Sequence, residues 1–312
     1  MPLYRNALPQ LGEDLFITDG GLETVMIFLE GIDLPHFAAI DMMRTEQGRD
    51  KLREYFRQYI DIAARHDCGL IVECPTWRAS PDWGAKLGYD KTELEAMNKA
   101  AVALMADLRA GASMAKPFVI SASIGPRGDG YDPGEVMNWQ EAEAYHSFQI
   151  EIFAQTQADM VTAMTVNNTP EAIGIARAAS AAKMPAAISF TVETDGRLPT
   201  GQSLGEAIME TDFESSATPP AYYMINCAHP THFAHVLEEG GPWIERLKGL
   251  RVNASKCSHA ELDEAEELDD GDPQELGREN AELRRLLPGL TVLGGCCGTD
   301  QRHIEEIAKA AA

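Results

Sequence analysis

The chain has 312 residues, 45% of them hydrophobic and 24% charged, which is enough apolar material for one large barrel or two ordinary domains. Asp and Glu number 49 against 26 Lys and Arg, for a net charge of −23. That charge repels phosphate backbones and anionic membrane surfaces, so nucleic acid and lipid are excluded as expected partners.

In chain order, the N-terminal stretch MPLYRNALPQ lacks the basic-then-apolar pattern of a secretory signal. No apolar run downstream approaches the roughly 18 residues that a membrane span needs. Six cysteines in a chain of this length do not form a disulfide framework. A reduced, cytoplasmic protein is expected, with cysteines that are buried, metal-bound or reactive.

Short apolar runs then recur: LFIT at 15–18, LIVE at 70–73, FVISAS at 118–123, DMVTAMT at 159–165, AAISFT at 186–191, YYMIN at 222–226, LRVNA at 250–254 and TVLGG at 291–295. Their shortness and continuous apolar character predict strands buried on both faces. Helical patterns lie between them. EQGRDKLREYFRQYIDIAARH, TELEAMNKAAVALMADLRAG and WQEAEAYHSFQIEIFAQTQ are amphipathic. PEAIGIARAASAAK opens on a proline, whose missing N–H is harmless at a helix start. DQRHIEEIAKAAA opens on Asp300 or Thr299 as N-cap. The acidic run ELDEAEELDDGD at 261–272 reads as a solvated loop or helix face. Eight strand–helix units predict a (β/α)8 TIM barrel formed as one domain over residues 1–312. The alternative is a doubly wound sheet, although TDGG after the first strand lacks the G-x-G-x-x-G spacing of a dinucleotide fold.

Barrel active sites are built at the C-terminal ends of the strands. The segments there are TDGGLET after strand one, ECPTW after strand two, SASIGPRGDG after strand three, NCAHP after strand six and GGCCGT after strand eight. Strands six and eight flank strand seven, so Cys227, Cys296 and Cys297 should converge at the mouth. Three thiolates specify a soft metal, Zn2+ first, with an open fourth position of the catalytic kind. The competing reading makes the cysteine pair a small-residue turn and Cys227 a packed thiol. Cys68, Cys74 and Cys257 are expected to be inert buried thiols. His229, His232 and His235 of CAHPTHFAH are expected in surface or supporting roles, because three sulfurs and a substrate already complete a tetrahedron.

These segments resemble the zinc-dependent homocysteine S-methyltransferases of the betaine–homocysteine methyltransferase and methionine synthase type. TDGGLET is similar to that family's first-strand loop, GLIVECPTW to its second-strand segment, SIGPRGDG to its S-x-G-P-x-G loop and SFTVETDGRLPTGQSL to its fifth-strand segment. NCAHP and GGCCGT resemble its two metal motifs. The resemblance implies a barrel binding Zn2+ through Cys227, Cys296 and Cys297. It also implies methyl transfer to a small thiol, with homocysteine giving methionine. Candidate substrate contacts are Asp19, Gly20, Gly21, Glu23, Glu73, Thr76 and Asn226, with the glycine N–H groups facing a bound carboxylate. The donor would be an onium compound such as S-methylmethionine, S-adenosylmethionine or betaine, or a methyl-cobalt, and the chain leaves no room for fused cobalamin or folate domains. One position departs from the pattern. The family carries a Glu at the end of strand four, in D-x-x-x-x-E-T, to hold the amino group of homocysteine, and here DMVTAMT places Met164 there. Either Glu73 or Glu23 takes the amine, or the acceptor thiol differs. A zinc-binding barrel without turnover and a metal-independent barrel lyase or hydrolase remain as other readings.

Overall fold

The computed structural model describes residues 1–265 and 267–312; Glu266, within the acidic run, lies outside the described residues. Eight strands close into a parallel barrel in sequence order, β1 (Phe16–Ile17), β2 (Gly69–Glu73), β3 (Phe118–Ile124), β4 (Met160–Val166), β5 (Ala186–Thr191), β6 (Tyr222–Asn226), β7 (Leu247–Val252) and β8 (Val292–Gly295). Each overlaps one of the apolar runs, β7 starting three residues before its run, and β1 closes the ring on β8 through Phe16 opposite Val292. The sheet topology removes the doubly wound alternative.

The outer ring contains α1 (Glu46–Arg65), α2 (Lys91–Gly111), α3 (Trp139–Ala154), α4 (Thr169–Ala181), α5 (Leu204–Glu214), α6 (Pro230–Glu239), α7 (Pro273–Leu286) and α8 (Gln301–Ala311). Their starts are chemically marked. Asp90 and Asn138 each form a capping box with a glutamate three residues on. Asp300, not Thr299, caps α8, and Pro170 lies in the first turn of α4.

The barrel interior changes character along its axis. Towards the N-terminal end, Phe16, Ile71, Val119, Met160, Tyr222, Met224 and Val292 form an apolar cluster of their own. Towards the C-terminal end the buried residues are polar: Glu73, Ser121, Ser123, Thr162, Ser189, Thr191, Asn226 and Arg251. The lower end is a packed plug and the upper end is a polar vessel.

The N-terminal segment seals the plug. Asp159, fully buried at the entry to β4, accepts hydrogen bonds from the Leu3 and Tyr4 amides on one oxygen at 2.7 and 2.9 Å. Its other oxygen takes the Ile120 amide at 3.0 Å and the Arg109 guanidinium at 2.6 Å. Asp159→Ala would leave that guanidinium buried without its partner. The expected loss is about 3–5 kcal/mol of folding free energy, read as a lower midpoint in urea unfolding with an unchanged denaturant slope.

Candidate active site at the mouth of the barrel

Three cysteines meet at the top of the barrel. Cys227 follows β6 and adopts a left-handed backbone, φ 55°, unusual for a residue with a side chain. Its amide donates to Arg251 O at 3.0 Å. Cys296 and Cys297 follow β8 in a turn fixed by backbone bonds, with the Cys296 amide on Val252 O at 2.7 Å and the Ala254 amide on Cys297 O at 3.1 Å. The three Sγ atoms lie within 4.8 Å of one another. Cys227 and Cys297 are 3.6 Å apart, and the Cys227 and Cys296 sulfurs are in contact. Tyr131, from the loop after β3, donates its hydroxyl to Cys227 Sγ at 3.2 Å, lies 3.8 Å from Cys297 Sγ and stacks on His259.

A single buried arginine ties the surrounding loops together. Arg251, at the end of β7, forms an ion pair with Asp19 at 3.0 Å. It also donates to Gly20 O at 3.0 Å and to Gly295 O at 2.9 Å. The Tyr55 hydroxyl donates to the other Asp19 oxygen at 3.1 Å. Asp19 therefore anchors the first loop to β7, and its carboxylate is already engaged.

The glycines do something other than expected. The Gly21 amide donates to Thr299 O at 2.9 Å, so it is not presented to a ligand carboxylate. A Cβ on Gly21 would lie 2.5 Å from Cys296 O, and one on Gly20 would lie 2.8 Å from Thr299 O. Their missing side chains let the first loop press against the cysteine turn.

Asp19, Gly20, Gly21, Glu23, Glu73, Met164 and Asn226 all line a cavity of about 450 Å3 that also contains the three cysteines, Arg78, Tyr131 and Arg251. Thr76 does not reach it. Its hydroxyl donates to Ser123 O at 2.6 Å and holds the loop after β2 against β3. Asn226 lines the cavity and also supports it, accepting from the Thr165 amide at 2.9 Å and donating to Thr165 Oγ1 at 3.0 Å. That pair fixes the left-handed Thr165, φ 60°, where the register of β4 shifts, and so sets where Met164 points.

The remaining cysteines and histidines divide. Cys68 is buried, and Cys74 is buried beside the cavity, where burial pushes its thiol pKa well up. Cys257 is exposed, against expectation, because it sits in the turn after β7 and not in the core. His235 is exposed, while His229 and His232 are buried in supporting roles. His229 caps α6 through the Thr231 amide, and His232 bonds Lys256 O at 2.9 Å. The acidic run is not merely solvated, for Glu267, Leu268 and Asp269 form part of the cavity wall.

Among the described residues, six carboxylates line the cavity against two guanidiniums. Burial pushes the Glu23 and Glu73 carboxyls each up to about 7. Glu73 has one oxygen without a hydrogen-bond partner. Sequence reading missed Arg251, Tyr131 and Arg78. An arginine inside an otherwise apolar strand run was the available signal for Arg251, since a buried guanidinium requires partners.

A family model for homocysteine S-methyltransferase matches residues 16–311. The chain belongs to the homocysteine S-methyltransferase family. Membership makes it an enzyme that methylates a thiol. Among solved structures, the homocysteine methyltransferase MmuM from Escherichia coli in its oxidised form is similar at 18% identity, with a TM-score of 0.75 over 98% of both chains. Its metallated form gives 18% identity and a TM-score of 0.72 over 97% of this chain and 98% of that one. No curated protein matches the chain.

A carboxyl whose pKa rises on folding holds its proton more tightly in the native state. That contribution is present below the unfolded-state pKa and is lost as pH climbs through about 7. Glu73→Gln keeps the neutral form at all pH values. It is expected to unfold later in urea than wild type at pH 8, by about 3 kcal/mol, and to differ by under about 1 kcal/mol at pH 5. An equal gain at both pH values would show that Glu73 is not the titrating group.

Proposed function

We propose that the protein is a zinc-dependent S-methyltransferase that moves a methyl group from an onium donor to the thiol of homocysteine. The observation carrying this reading is the convergence of Cys227, Cys296 and Cys297 from two strands, with sulfurs within 4.8 Å, in the cavity of a family barrel. The donor set fits the ion. Thiolates at the usual zinc–sulfur length sit about 3.8 Å apart on a tetrahedron, close to the 3.6 Å between Cys227 and Cys297, while Cys296, in contact with Cys227, would have to swing away to complete the set. An all-sulfur set selects a soft ion over magnesium or calcium, and a metallated form exists for the similar MmuM.

A zinc ion held by Cys227, Cys296 and Cys297 would supply one thing, a Lewis acid that would keep the acceptor sulfur as thiolate at neutral pH, where a free thiol of pKa about 8.5 is mostly protonated. This chain's residues supply the rest. Three anionic sulfurs keep electron density on the acceptor in a way that neutral imidazoles would not. Tyr131 donates a hydrogen bond to Cys227 Sγ and holds that sulfur's orientation. The acceptor sulfur forms its bond to the methyl carbon while the donor's onium bond breaks, leaving its electron pair on the donor heteroatom. The thiol proton passes to solvent. Lining carboxylates in excess of guanidiniums favour a cationic donor over a neutral one.

Met164 leaves no carboxylate at the end of β4, so the homocysteine ammonium meets Glu23 and Glu73 instead. Glu73 is buried and has an oxygen to spare.

Zinc analysis combined with a methylation assay, homocysteine as acceptor and S-methylmethionine, S-adenosylmethionine and betaine as donors, tests the reading. Cys297→Ser is expected to lose most of the metal and at least about a hundredfold in kcat/KM. A fully zinc-loaded, active Cys297→Ser protein would overturn the assignment. Met164→Glu restores the missing carboxylate and is expected to lower KM for homocysteine about tenfold, with little effect on small thiols that lack an amine. Unchanged selectivity across such a thiol panel would remove Met164 as a determinant.

A further inference from the structure

The two guanidiniums of the cavity are in opposite states. Arg251 is consumed by Asp19 and by the backbone of the first and eighth loops. Burial opposes its charge, but Asp19 and Glu73 outweigh that, and its pKa is raised. Arg78, from the loop after β2, is answered more loosely, by one long ion pair to Asp129. Its side chain is 12% exposed, and the Asp129 carboxylate approaches Nη2 only to 3.7 Å, beyond hydrogen-bond length. Nη1 donates to His36 O, while Nε is buried without a hydrogen-bond partner. Nε and Nη2 form the side-on edge of the guanidinium that grips a carboxylate with two parallel bonds. Burial lowers the Arg78 pKa, and Asp129, Glu23 and Tyr131 do not make up the difference.

Its position is fixed. The guanidinium carbon stands 4.6 Å from the ring centre of Trp77 and 4.0 Å from that of Trp83. Stacking on two indoles holds the planar group while leaving its edges for hydrogen bonds. An acceptor carrying a carboxylate enters a cavity already lined by six carboxylates. Without a cation to meet, it would be repelled. Arg251 is committed, which leaves Arg78 among the described lining residues.

We infer that Arg78 binds the carboxylate of the thiol acceptor through its Nε and Nη2 edge, and so selects thiols that carry a carboxylate. The inference rests on the thiol-methyltransferase reading above and adds to it a residue that sets acceptor class. It also takes the place of the Gly21 amide as a carboxylate contact, since that amide is spent on Thr299.

The test compares homocysteine with 3-mercaptopropylamine, which differs only by lacking the carboxylate, in zinc-loaded wild type, Arg78→Gln and Arg78→Lys. Wild type is expected to prefer homocysteine about a hundredfold in kcat/KM, and Arg78→Gln to cut that preference to within about threefold, mainly through KM. Arg78→Lys keeps the charge without the bidentate edge and should fall between them. Calorimetric titration with homocysteine reads the same loss as a weaker Kd, independently of turnover. Zinc content and thermal unfolding of each variant check that the site and fold persist. A folded, metal-bound Arg78→Gln protein that keeps the full preference and the wild-type Kd would overturn the inference, as would equal use of both thiols by wild type. Absence of methyl transfer to either thiol from any donor, with the Kd difference intact, would instead overturn the methyltransferase reading and leave Arg78 as the carboxylate site.

Discussion

The upper half of this barrel depends on one buried charge. Arg251 joins three separate chain segments: its own strand β7, the loop after β1 through Asp19 and Gly20, and the end of β8 through Gly295. A buried guanidinium is tolerable only when its charge and donors are answered, and here the answering groups are the walls of the site. Satisfying Arg251 brings the first loop to the cysteine turn. The absence of side chains at Gly20 and Gly21 lets that approach close to backbone contact. The cysteine turn is then fixed by its own amides and carbonyls, so the backbone carrying two of the three cysteines is held by bonds that need no metal. This is preorganisation of a ligand set by groups that never touch the ligand.

A second constraint is electrostatic. The cavity holds more carboxylates than cations, and several are desolvated. Three thiolates would add to that negative charge. Such a site is unstable towards further anions and receptive to cations, which fits an onium donor and an acceptor with an ammonium group. It also shows why Met164 is tolerable. A carboxylate at the end of β4 would give an ammonium a further partner but would also place a third desolvated charge beside Glu23 and Glu73, and the thioether fills the volume without that charge.

The interior gradient links fold to chemistry. Bulky apolar residues pack the lower barrel, and the N-terminal segment closes it over Asp159. That packed layer leaves the upper layer to serines, threonines and charged groups. Left-handed Thr165 and Cys227 lie at the C-terminal ends of β4 and β6, above that polar layer, and both line the cavity.

The sequence by itself determined the eight strands, the helices between them and the convergence of Cys227, Cys296 and Cys297. Each of these follows from local pattern: continuous apolar runs, helical periodicity, and cysteines at positions that closure of a barrel must bring together. The resemblance to the family, not local pattern, marked Asp19, Glu23, Glu73 and Asn226 as candidate contacts at the mouth, since successive residues at a strand end point to opposite faces of the sheet. Tertiary structure alone decided what those residues do there. That Asp19 is occupied by Arg251, that Thr76 turns to Ser123, that the Gly21 amide goes to Thr299 and that Tyr131 reaches Cys227 all depend on contacts between segments far apart in the chain. Hydrogen-bond partners are set by distances of a few ångström between separate loops, and no local periodicity encodes such distances.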